Sequence, residues 1–182
     1  MSIIGIDFDN TIIRYEPVLE EIVKERGYPI SPVTKTALRD YLRVIGEESV
    51  WTEIQGLIYG PRIDGASVAQ GFIDKLKTFN KAVIISHKTK LSYSKDSFNL
   101  HDSAKRWLEN HGITKIVKDV FFEETKEAKL KRIDSENCTV FIDDLTEILM
   151  DPLFPKTVRA VLYDPYNEST YPDRFSNWGD FK

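Results

Sequence analysis

Residues 3–11 read Ile3-Ile4-Gly5-Ile6-Asp7-Phe8-Asp9-Asn10-Thr11, a short apolar run closed by two acids one residue apart. Side chains alternate across a strand, so Asp7 and Asp9 point one way and Phe8 the other. A continuous apolar run is typical of a parallel strand covered on both faces, and the carboxyl end of such a strand is where open α/β sheets bind ligands. An aspartate-rich surface turn has the same composition. The choice between the two rests on the rest of the chain.

Three more apolar runs follow at Ala82–Ser86, Thr139–Asp143 and Val158–Tyr163, with a weaker one at Val120–Phe122. Helical patterns lie between them. Ser67–Phe79 aligns Val68, Phe72, Ile73 and Leu76; Asp102–His111 aligns Ala104, Trp107 and Leu108 and stops at Gly112; a further helix spans Thr125–Asp134. Strands alternating with helices predict an α/β doubly wound parallel sheet.

From Thr11 to Lys81 there are 71 residues, too many for a simple crossover. Three helices are expected there: Pro17–Arg26, one capped by Ser31-Pro32 and ending before Gly46, and Glu47–Tyr59. They predict a small helical insertion at 15–62 in a core made of 1–14 and 63–182. The polar run Thr89–Ser103 is long enough to be a functional or mobile loop. The tail from Tyr163 carries six aromatic residues and is expected to wrap the domain as irregular structure.

At 182 residues, with 41% hydrophobic and 30% charged residues, the chain has the composition of a folded globular protein. Its 25 basic and 29 acidic residues give a formal net charge of −4, without the basic field that nucleic acid or an anionic membrane would need. No apolar run is long enough to cross a bilayer. The first residues lack the charged start of a signal peptide. One cysteine, Cys138, allows neither an internal disulfide nor a thiolate metal cage, so a cytoplasmic protein is expected. His87, His101 and His111 have no ligand spacing among them.

Chemistry-bearing residues recur at the ends of the other strands. The second ends in Ser86-His87-Lys88-Thr89 and the fourth in Asp143-Asp144, while Lys126 and Lys129 lie early in the helix between the third and the fourth. Taken in order, Asp7/Asp9/Thr11, Ser86, Lys126 or Lys129, and Asp143/Asp144 resemble the four motifs of the haloacid dehalogenase (HAD) superfamily. Ser86-His87-Lys88-Thr89, Leu100-His101-Asp102 and Phe141–Leu145 look like a phosphatase-like branch of it, often linked to surface-polysaccharide synthesis. Asn10 departs from the glycine that many members carry, and asparagine tolerates the strained backbone that position needs.

The resemblance implies a Rossmann-like core with strand order 3-2-1-4-5, the inserted helices serving as a cap. It implies Mg2+-dependent hydrolysis of a phosphomonoester, the substrate a small metabolite phosphate, sugar-like or other. Asp7 would be the nucleophile and Asp9 the acid and then the base. Ser86 and a lysine would hold the phosphoryl oxygens, Lys129 preferred over Lys126 and Lys88 next in line. Asp7, Asp9 (through its main-chain carbonyl), Asp143 and Asp144 would hold Mg2+, a hard cation suited to oxygen donors. Members without an acid at the position of Asp9 tend to be dehalogenases or transport ATPases. A non-catalytic binding or scaffold module on the same fold is the alternative. A phosphoacceptor receiver domain is not, because its acidic pair belongs on the first strand.

Overall fold

The computed structural model describes residues 2–182; Met1, part of the expected core span, lies outside the described residues. Among the described residues there are eight strands: β1 (Ile4–Ile6), β2 (Ile13–Arg14), β3 (Ser67–Val68), β4 (Ala82–His87), β5 (Asp119–Glu123), β6 (Val140–Asp143), β7 (Arg159–Tyr163) and β8 (Arg174–Phe175). The helices are α1 (Glu16–Glu25), α2 (Lys35–Val44), α3 (Glu48–Tyr59), α4 (Phe72–Leu76), α5 (Leu100–Asn110), α6 (Lys126–Ser135) and α7 (Thr146–Leu149). Six strands form one parallel sheet in the order β5-β4-β1-β6-β7-β8, and β2 and β3 form a separate ribbon. The first five reproduce the expected order 3-2-1-4-5.

The central strand is the shortest of these five and wholly buried. Gly5 is required in it, because a Cβ there would stand 2.6 Å from the Phe141 ring and 2.8 Å from Cys138 Sγ. Val83 and Ile85 of β4 share one face with Leu130 and Ile133 of α6 and with Phe141, Ile148 and Leu162, forming the core on that side.

The chain divides into two compact units. The first comprises Met1–Ile13, Val68–Thr89 and Leu108–Lys182 and holds the large sheet; the second comprises Arg14–Ser67 and Lys90–Trp107. The second contains α1–α3 and also the 90–107 stretch, which lies outside the expected insertion. Within it, Tyr15 and Tyr59 meet edge to face at 4.9 Å, and the Lys35 ammonium stands 4.7 Å and 5.1 Å from their two ring centres. The polar 89–103 run is tied to itself: Leu91 bridges Asn99, Ser92 N–H donates to Phe98 O at 2.9 Å, and the Ser92 and Ser94 hydroxyls meet at 2.7 Å.

Three local expectations are corrected. The helix expected at 67–79 shrinks to Phe72–Leu76, because Ser67–Val68 is a strand and Gly71 takes a left-handed backbone (φ 78°) immediately before the helix. The second inserted helix is capped by Thr34, whose hydroxyl accepts from Ala37 N–H at 3.0 Å, and not by Ser31-Pro32. The aromatic tail is only partly irregular, since Arg174–Phe175 adds a sixth strand through Leu162 N–H to Asp173 O and Asp164 N–H to Phe175 O, both 2.9 Å. Trp178, fully buried, then packs on Phe72 at 4.9 Å and on Phe175 at 5.1 Å. Edge-to-face pairs of this kind contribute about 0.5–1.5 kcal/mol each beyond area burial.

Candidate active site

Parallel strands bring their carboxyl ends to one edge, and the three central strands β4, β1 and β6 all end in polar groups there. Asp7 follows β1 by one residue, Ser86 is the penultimate residue of β4, and Asp143 is the last of β6. Asp7 is anchored by its own N–H, which donates to Ile142 O at 2.8 Å. Beyond it the chain turns sharply: Ile12 N–H donates back to Phe8 O at 3.0 Å, and Asn10 adopts φ 61°, the left-handed conformation expected of it.

Asp7 is 4% exposed and is gripped from two sides. Ser86 Oγ donates to its Oδ1 at 2.8 Å, and Lys129 Nζ donates to the same oxygen at 2.6 Å. Lys129 also donates to Asp143 Oδ2 at 2.5 Å, so one ammonium joins two carboxylates. The other Asp143 oxygen accepts from Leu145 N–H at 2.9 Å, an aspartate turn that carries the chain toward α7.

Lys129 reaches this position through the phase of α6. Thr125 caps the helix, its hydroxyl accepting from Ala128 N–H at 3.1 Å, and Lys129 then falls on the buried face with Leu130 and Ile133. Lys126, three residues earlier, borders the cavity, but its side chain is 46% exposed and its ammonium pairs with Asp151 at 2.7 Å. The lysine joined to Asp7 and Asp143 is therefore Lys129.

Asp9 faces the same cavity as Asp7 and is held by Lys88, whose Nζ donates to both carboxylate oxygens of Asp9, at 3.0 and 2.9 Å. The signal was present in the sequence, since the alternation that aligns Asp7 with Asp9 also aligns Ser86 with Lys88. A cavity of about 240 Å³ opens over these groups, bordered by Asp7, Asp9, Asn10, Ser86, Lys129 and Asp144 among others. Thr11 is fully buried behind the loop. Its carbonyl accepts from Trp178 Nε1 at 3.2 Å, while its hydroxyl has no hydrogen-bond partner among the described residues.

Burial pushes the Asp7 carboxyl up to about 7; Lys129 opposes that rise, and Asp143 and Asp9 reinforce it. Burial works against the Lys129 charge, yet Asp143 and Asp7 outweigh it and hold the ammonium above its ordinary range. Asp7, Asp143 and Asp144 each offer an oxygen within 4.8 Å of the others. Four carboxylates (these three and Asp9) against two ammonium groups leave a formal charge of −2 in a largely buried space. All-oxygen donors with that deficit fit a hard divalent cation.

No known family profile matches the sequence, and no curated protein does. Solved structures do resemble it in shape. L-2-haloacid dehalogenase from Xanthobacter autotrophicus, with chloropropionic acid covalently bound, aligns at TM-score 0.59 and 12% identity, over 99% of this chain and 96% of that one. This chain has the HAD fold. A HAD phosphatase from Thermococcus onnurineus shares it at TM-score 0.53 and 14% identity, over 98% and 95%. A HAD hydrolase from Bacillus subtilis bound to magnesium shares it at 0.59 and 10%, over 97% and 94%. Within the HAD fold of this chain, Asp7, Asp9, Ser86, Lys129, Asp143 and Asp144 converge on one sheet edge, whereas Thr11 lies behind the loop and Lys126, at the cavity border, pairs with Asp151. Among the described residues no helix is long and apolar enough to cross a membrane.

Proposed function

We propose that this chain is a Mg2+-dependent phosphomonoesterase that works through a phosphoryl group carried on Asp7. The observation that carries the reading is the grip on Asp7: Ser86 and Lys129 both bond Oδ1, which orients the carboxylate toward a cavity that Asp9 also borders.

Of the two Asp7 oxygens, the one not bonded by Ser86 and Lys129 is open to attack phosphorus in line with the leaving oxygen. The new bond is Asp7 O–P. The P–O bond to the alcohol breaks, its electron pair goes to the leaving oxygen, and Asp9 supplies the proton. Water then attacks phosphorus and gives a proton to Asp9, and the Asp7 O–P bond breaks with its pair returning to the carboxylate. Lys129, with a third N–H beyond those given to Asp7 and Asp143, and Ser86, once its hydroxyl turns from Asp7 Oδ1, would donate to the phosphoryl oxygens, where charge is greatest in the transition state. Asp7, Asp143 and Asp144 are the side chains that would hold Mg2+, with the main-chain carbonyl of Asp9 as a further donor. The ion supplies positive charge against the phosphoryl oxygens when bound.

Asp9 favours phosphate esters over haloacids as substrates. Halide leaves without a proton, whereas an alkoxide needs one, and Asp9 is the acid at hand. The leaving group in this reading is the alcohol of a small metabolite, sugar-like or other. The lone buried Cys138 and the net negative charge suit a cytoplasmic enzyme acting on a free metabolite, not on nucleic acid or a membrane. A panel of phosphorylated metabolites and an aryl phosphate, scored for phosphate release with and without Mg2+, tests the assignment. Release that needs Mg2+ and vanishes in Asp7→Asn is expected. Absence of release from every ester, or full activity in Asp7→Asn, would overturn it.

A further inference from the structure

We propose that Lys88 is a positioning residue for the acid-base group Asp9; the inference rests on the phosphatase reading above. Lys88 follows β4 directly, and its N–H donates to Glu123 O at 2.8 Å, so its backbone is fixed against β5. Its side chain is 3% exposed and spans both Asp9 oxygens, and its ammonium also lies 5.5 Å from the centre of the Phe8 ring. Lys88 thus holds two successive residues of the Asp7-Phe8-Asp9 segment. Asp9 borders the cavity, whereas Lys88 is not among the described residues that do. A substrate phosphate in the cavity would meet Asp9 and not the ammonium behind it.

Energetics point the same way. With Lys88 buried and Asp9 partly exposed, desolvation of the ammonium offsets much of the attraction in this pair, and what the pair supplies is a fixed geometry. Asp9 has to present one oxygen to the leaving group and then to water without turning. A two-oxygen grip from behind fixes the carboxylate plane through both proton transfers. The two acids of the loop have separate anchors, Lys129 on Asp7 and Lys88 on Asp9. Loss of one anchor is therefore a loss specific to the acid it serves.

The test is a double-mutant cycle on the full chain with Mg2+ and an aryl phosphate, comparing Lys88→Met, Asp9→Asn and the pair. Misplacing a general acid-base group should lower kcat in Lys88→Met by about 10- to 100-fold with KM near wild type. The first-turnover burst of phenol should persist, because the attack by Asp7 is intact, and Lys88→Arg should recover part of kcat. In the Asp9→Asn background, Lys88→Met should cost nothing further. Additive losses in the double variant, or a raised KM with kcat kept, would show that Lys88 acts on substrate directly and would overturn the inference. A kcat loss fully accounted for by the unfolded fraction in circular dichroism would do the same. If Lys88→Met does not fold, Lys88→Gln, which keeps one hydrogen bond to Asp9, enters the same cycle. A wild-type chain that hydrolyses no ester defeats the phosphatase reading and this inference together; an active wild type with additive losses defeats this inference alone.

Discussion

Replacing Lys129 by methionine removes a charge and keeps the length of the side chain. The ammonium lies 2.6 Å from Asp7 and 2.5 Å from Asp143, and its side chain is 2% exposed. At an effective dielectric of about 20, each contact is worth roughly 6 kcal/mol of gross attraction. Most of that is cancelled by the desolvation of three buried charges, so the net value of the cluster is small. Removal of one partner is a different matter. It leaves two buried carboxylates facing each other, and breaking a buried pair in this way costs about 3–5 kcal/mol. Proton uptake by Asp7, whose carboxyl is already raised to about 7, limits the cost at neutral pH and below. For a chain of this size the loss corresponds to a Tm drop of about 6–20 °C. Loss of a donor to transition-state charge should also lower kcat by about 100- to 1,000-fold. Lys126→Ala removes a pair with Asp151 whose lysine side chain is about half exposed, and should leave kcat and Tm nearly unchanged. Thermal melts in metal-free buffer and steady-state hydrolysis with Mg2+ measure the two quantities separately. Lys126→Ala as damaging as Lys129→Met, or Lys129→Met melting with the wild type, would refute the reasoning.

Three other outcomes are expected. Between the ordinary aspartate range and about 7, folded Asp7 holds a proton that the unfolded chain has lost, so its contribution to stability is present at low pH and lost as pH rises through 7. Mg2+ competes with that proton and should raise Tm more on the alkaline side of 7 than on the acid side; an equal shift on both sides, or one that survives in Asp143→Asn, would remove the metal from this site. Trp178→Phe keeps a ring in the aromatic cluster but leaves the Thr11 carbonyl unpaired, and should cost about 1–3 kcal/mol in urea unfolding; an unchanged midpoint would mean that the tail does not brace the loop. Burial pushes the Cys138 thiol up to about 12, so iodoacetamide at mildly alkaline pH should modify it far more slowly in the native chain than in urea, as read by mass spectrometry.

The sheet was legible because its five main strands are continuous apolar runs, and their polar ends marked the edge where ligands bind. The preference for Lys129 over Lys126 becomes compelling only with the helix phase: Lys129 shares the inward face of α6 with Leu130 and Ile133, and that depends on a start at Lys126, with Thr125 as cap. Arg174–Phe175 was not legible as a strand, since two residues carry no periodicity and only the exposed edge of β7 makes them one. The helix expected at 67–79 failed at Gly71, a residue that fits a helix pattern at modest cost but here takes a conformation no helix interior has. Lys88 was underread for another reason: a lysine after a strand is normally solvated, and only the position of Asp9 reveals what it grips.

The site also has an order in time. The lysine that neutralises Asp7 is made 122 residues after it, with Asp143 later still. At about 5–20 residues per second, Lys129 is made roughly 6–24 s after Asp7. β1 has neither neighbour until β4 is made after the whole of α1–α4, and its second neighbour, β6, follows only after α6. The nascent chain therefore carries β1 unpaired until β4 is made, and Asp7 without its ammonium partner until residue 129 has emerged. Nascent chains stalled before residue 129 should be recognised by chaperones that bind exposed apolar strands, and chains stalled well beyond residue 143 should escape them.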